Sequence, residues 1–131
     1  MHGEMENKSK CEIIVSSDDT ILEMKITGQL TEFTAGQLLR DIPLHIKEYA
    51  HRNYLFDLRS LQGTLGIGSS YFYIERFSFE RSKNIAVVAQ KESELYYYFI
   101  QTVAYNRHIN MRYFDLIEEA KAWLEEEQLC A

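Results

Sequence analysis

The sequence predicts an α/β domain: a small mixed, mostly parallel sheet with helices on both sides, its elements in the order ββαβαβαβα. Three observations carry that prediction. Short apolar segments of strand composition alternate with longer ones whose apolar residues recur every three or four positions. Such alternation demands crossover connections, and crossovers make parallel neighbours. The chain opens on two β-rich segments joined by a tight polar turn, which adds an antiparallel edge strand. Its last structured segment, Met111 to Leu124, reads MRYFDLIEEAKAWL: a strand, almost no turn, and a helix docked by one tryptophan.

Met1 to Lys10 are polar and charged and read as a disordered leader, with a single domain over residues 11–128. Cys11 to Ser16 and Thr20 to Thr27 are the hairpin strands, Ser17-Asp18-Asp19 their turn, and Gly28 the stop. Thr31 to Ala50 is helical, with Thr31 or Thr34 as the cap and Leu38, Leu39, Ile42, Ile46 and Tyr49 at helical spacing. Pro43 inside that run implies a kink or two abutting helices, because it lacks a donor and clashes with the preceding turn. Tyr54 to Leu58 is a strand buried on both faces, and Ser60 to Ser70 is the Gly-rich loop. A second helix spans Ser69 to Arg81, Asn84 to Gln90 is a buried strand, and a third helix spans Ser93 to Asn106. In the last unit Asp115 and Glu118 have capping-box spacing, and Ala120, Trp123 and Leu124 form the apolar stripe.

At 131 residues, 46% hydrophobic and 26% charged, the chain has the size and composition of one globular domain. Its formal net charge of -6 argues against nucleic-acid binding, which needs a basic face to displace counterions. Arg76, Arg81 and Lys83 are interspersed with Glu75 and Glu80 and make no such face. Cys11 and Cys130 lie near opposite ends, outside any CxxC pair; they read as free thiols, with a bridge between the termini as the alternative. His45, His51 and His108 lack metal-ligand spacing, and His2 lies in the leader. No secretion signal and no membrane span is evident, so a cytoplasmic location is expected.

The string AVVAQKESELYYYFIQTVAYNRHINMRYFDLIEEAKAWL resembles the second half of small bacterial STAS-like (SpoIIAA-like) domains, the superfamily of anti-sigma-factor antagonists. The resemblance rests on the strand Ile85 to Ala89, the helix ending Ala104-Tyr105-Asn106-Arg107, the strand Met111 to Phe114 and the terminal helix Glu119 to Leu124. The first half agrees in order, and together they cover about Cys11 to Glu126. It implies a non-enzymatic module acting through protein contacts, a homodimer or a heterologous partner. In phosphorylation-switched members a Ser follows an Asp after the third strand and opens the next helix. Here Ser69 and Ser70 come several residues later, and no Asp-Ser pair follows Asp57-Leu58. Some STAS-like members are also compared with lipid-binding domains of the Sec14 type, which implies a small apolar ligand as an alternative.

Three constellations stand out. Gly66, Gly68, Ser69 and Ser70 sit between a strand and a helix, where amides and a helix start could hold an anion or a phosphorylated serine. The plain alternative is a flexible turn with a Ser cap, since neither GxGxxG nor a P-loop lysine is present. Tyr71, Phe72, Tyr73, Phe77 and Phe79, with the consecutive Tyr96, Tyr97, Tyr98 and Phe99, exceed what one core can absorb, because adjacent helical residues step ~100° around the axis. With the two helices as neighbours, Tyr71, Phe72, Tyr73, Tyr97 and Tyr98 are the expected contact surface. Asp57 and Arg59, with Arg107 or His108, stand where α/β sheets place ligands, the plain alternative being an ion pair. No catalytic set, cofactor motif or metal site emerges.

Overall fold

In the computed structural model the described residues are 10–18, 20–49, 53–76 and 84–130, with side chains described as far as 126. The leader before Lys10, His2, His51, Phe77, Phe79, Arg81 and Lys83, and the side chain of Cys130, lie outside them.

The elements are β1 (Glu12–Ser17), β2 (Ile21–Gln29), α1 (Glu32–Glu48), β3 (Asn53–Asp57), β4 (Leu61–Gln62), α2 (Ile67–Arg76), β5 (Asn84–Val88), α3 (Glu94–Asn106), β6 (Asn110–Phe114) and α4 (Ile117–Cys130), with one 3-10 turn before α3. The sheet runs β1-β2-β3-β5-β6. β1 pairs antiparallel to β2, and all other pairs are parallel. The expected order holds, with one addition inside the Gly-rich loop: β4 pairs the end of β2, Gly28 to Leu61 and Gln29 to Gln62.

Strand alternation divides the core in two. Leu22, Met24 and Ile26 of β2, Tyr54 and Phe56 of β3, and Ile85 and Val87 of β5 face the larger layer, under Leu38 and Ile42 of α1 and Tyr97, Ile100 and Ala104 of α3. Leu55, Ala86, Val88 and Phe114 face the other way, against Ala120 and Leu124 of α4, with half-buried Trp123 at 5.8 Å from the Phe114 ring. α4 packs on β3, β5 and β6 and reaches β2, where Ile21 joins its core and Lys121 pairs with Glu23 at 3.6 Å; on the same face of β1, Ile14 is exposed.

Local chemistry fixes the joins. Thr31 caps α1: its hydroxyl accepts from the Thr34 N–H at 3.2 Å, while the Thr34 hydroxyl accepts from the Thr31 N–H at 2.8 Å. α1 runs as one helix through Pro43, so of the two expectations, a kink or two abutting helices, the second does not occur. The capping box expected at Asp115 and Glu118 is absent: α4 starts at Ile117, and the carbonyl of Leu116 accepts its first helical bond. Gly28 has φ +120°, and a Cβ there would lie 3.0 Å from the Lys10 carbonyl oxygen. The first residues of three parallel strands form a side-chain ladder, Asn84 donating to Asn53 at 2.9 Å and Asn110 to Asn84 at 2.8 Å. Cys11 is a buried free thiol whose pKa is raised chiefly by that burial.

Candidate functional site

Each parallel strand feeds a helix that starts at the carboxyl end of the sheet, the end where this architecture gathers its loops. There, β4 and Gly63 (φ +87°) turn the chain, the Leu30 N–H donating to the Gln62 carbonyl at 2.7 Å, and α2 starts at Ile67.

The serines of this loop are already engaged. Ser70 is 2% exposed. Its hydroxyl bonds the Gly66 carbonyl at 2.9 Å and the Tyr96 hydroxyl at 3.0 Å. Ser69, half-buried, donates to the Glu32 carboxylate, and the Tyr73 hydroxyl donates to the Glu32 carbonyl at 3.0 Å. Gly66 and Gly68 border open space. A carboxylate thus stands beside the helix start where an anion was expected, and phosphate on Ser70 would need a buried dianion. Both serine hydroxyls are thus engaged within the chain.

α2 buries Ser70 alone, with Ile74 half-buried, so it bridges the sheet without filling the space below. Beneath it lies a cavity of about 150 Å³, walled by residues such as Ile26, Leu38, Phe56, Leu61, Ile74 and Ile100. Ser70, Tyr73, Tyr96 and Tyr97 also line it. Burial pushes the Tyr97 phenol far above its ordinary range, so the ring stays neutral.

The aromatic surface divides. Tyr97 is 7% exposed and stacks on Tyr113 at 6.0 Å; it belongs to the core, which corrects its placement on the contact surface. Tyr98 is exposed but packs over Tyr113 at the sheet edge, 5.1 Å between rings. Tyr71 meets Phe99 at 5.8 Å on the α2–α3 side, Tyr73 turns to α1, and Phe72 is exposed under the Arg76 guanidinium. Sequence reasoning missed two exposed apolar residues: Phe33 in the first turn of α1, 65% exposed, and Ile67 at the start of α2, 70% exposed. Two large apolar residues at polar helix starts are the signal that could have found them.

The third constellation is half assembled. Asp57, buried, accepts from Arg59 Nε at 2.9 Å and Nη2 at 2.8 Å, and that pairing holds its carboxyl below the ordinary range. Arg107 pairs instead with Glu75 of α2, so it does not join them. His108, in the turn after α3, has φ +63°. Among the described residues no group of acidic, His or Cys side chains could hold a metal, and no helix is long and apolar enough to cross a membrane.

This layered sheet with its helix starts gathered at one end is the architecture of a known family. The SpoIIAA-like family model matches residues 21–125, and the chain belongs to that family. Among solved structures it is similar to an anti-sigma factor antagonist from Mycobacterium paratuberculosis, with 13% identity, TM-score 0.66, and coverage of 89% of this chain and 96% of that one. It is also similar to an uncharacterized protein of the DUF3478 family with a SpoIIAA-like fold from Shewanella loihica, with 17% identity, TM-score 0.58, and coverage of 88% and 93%. These likenesses show the fold. A search of curated proteins gives no match.

Proposed function

We propose that this protein is a non-enzymatic regulatory module that docks a protein partner on the outer face of α2 and the first turn of α1. The observation that supports it is that four large apolar side chains are exposed on these two elements: Phe33, Ile67, Tyr71 and Phe72. Large rigid rings at a rim of Glu32, Glu75 and Arg76 have the composition of an interface centre with a charged surround. The anti-sigma-factor-antagonist neighbour gives the class precedent. Phe72→Asp and Ile67→Asp test it. A partner co-purifying with the wild type from the source cell should be lost from both variants while their melting curves stay unchanged. Equal recovery by all three proteins would refute the reading.

A second reading, a small apolar ligand or acyl chain, is favoured by the cavity beneath α2. Native mass spectrometry of protein taken from cells should then show a retained small molecule, released on denaturation. A bare polypeptide mass excludes it.

A further inference from the structure

The two edges of the sheet are finished differently. At β6 the Tyr113 N–H donates to Gln101 Oε1 at 2.8 Å, and the Met111 N–H donates to the Ile109 carbonyl at 3.0 Å. The outward donors of that edge are covered from within the chain. At β1, among the described residues, a comparable cover exists only at the strand's entrance. There Cys11 N–H donates to Gln37 Oε1 at 3.0 Å, and Gln37 Nε2 donates to the Cys11 carbonyl at 2.9 Å. Cys11 therefore turns its backbone away from β2. At the far end the Asp18 N–H donates to the Ile21 carbonyl at 3.1 Å, so Asp18 turns its backbone toward β2. Backbone direction alternates along an edge strand with period two. Ile13 and Val15 thus point outward with Cys11, and Glu12, Ile14 and Ser16 point toward β2. Among the described residues nothing takes up the outward N–H and C=O groups of Ile13 and Val15. A groove of about 320 Å³ runs beside them between β1 and α1, with Leu44, 66% exposed, on its wall.

We propose that β1 is the seat of self-association, two copies of this chain pairing antiparallel through β1 to make one continuous sheet. The strand EIIVSS is complementary to itself about a twofold axis at Ile14. Ile13 then exchanges two backbone hydrogen bonds with Val15 of the second copy, and the same pair recurs by symmetry. Glu12 falls opposite a serine, Ser16, so no like charges oppose each other. Ile14, 54% exposed on the face α4 leaves open, falls opposite Ile14. The contact is isologous, and the covered β6 edge stops further growth, so the assembly closes as a dimer and does not extend to a fibre. It is independent of the α2 docking face.

Light scattering on the eluted full chain tests this. Wild type and Phe72→Asp should both have twice the 15.4 kDa mass of one chain. Val15→Pro removes an outward N–H that β2 does not use; it should halve the mass and keep the wild-type circular-dichroism spectrum, melting lower because dimerisation and the Val15 packing no longer support the fold. Ile14→Cys should form a covalent dimer on mild oxidation where the wild type forms none. A single-chain mass for the wild type, a twofold mass retained by Val15→Pro, or no cross-link at position 14 would each overturn the proposal. So would a dimer that Phe72→Asp dissolves.

Discussion

Asp57 shows how one residue ties fold to pH. Folding gives its carboxylate the Arg59 fork, which lowers its pKa. A depressed carboxylate contributes stability that is complete above the unfolded value of about 4 and is lost as pH falls through the folded one. Asp57→Asn should therefore melt below the wild type at neutral pH, and the gap should narrow as pH falls through the folded value; a gap that does not narrow in acid would contradict the pairing. Tyr113 presents the opposite case. Its ring is buried by Tyr97 and Tyr98, and its hydroxyl has no partner among the described residues. An unsatisfied buried hydroxyl costs about 1–3 kcal/mol, so Tyr113→Phe should melt at or above the wild-type temperature. A lower melting point would show that the hydroxyl is bonded in solution. At this scale the sequence was only partly legible. Four aromatics in a row guarantee that some face outward, but which one depends on the angle at which α3 meets the sheet, and that angle put Tyr97 inside and Tyr98 outside.

Among the elements, α4 has the most to hold alone. It is the sole helix on its side of the sheet among the described elements, and its grip is Ala120, Trp123 and Leu124 over Phe114 and Leu55. Leu124→Ala leaves a void under a helix with no neighbour to relax into it, and should cost about 2–5 kcal/mol in chemical denaturation. A loss under about 1 kcal/mol would mean that α4 is not docked as described. Gly28 joins β2 to the loop before α1 under two constraints at once, positive φ and close backbone approach. Gly28→Ala should lower the melting temperature although it adds one methyl at the surface of the hairpin; an unchanged melt would contradict the strained conformation. The spacing of Ala120, Trp123 and Leu124 announced α4, and the all-apolar runs announced β3 and β5 as central strands. β4 could not be read: two residues carry no periodicity, and their partner lies more than thirty positions away. Nor could the start of α4, because Asp115 satisfies the cap pattern but the chain leaves β6 one residue too late to use it.

Over the whole molecule, the sheet separates distinct tasks. One layer carries α1, α2 and α3 above an apolar cavity; the other is α4 and an open flank. The carboxyl end of the parallel strands collects the helix starts, and exposed Phe33, Ile67, Tyr71 and Phe72 lie on two of those helices. The ββαβαβαβα order was legible because every crossover needs its own helix. The contact face was legible only as a surplus of rings, and the cavity not at all, since three helices and the sheet must meet before it exists. The most direct test places a photo-activated cross-linking residue at position 72, on the outer face of α2, and separately at position 121, on exposed Lys121 of α4, in the cell of origin. The docking account expects a discrete protein adduct of one mass from position 72 and none from position 121. No adduct at 72, or the same adducts at both positions, would contradict it.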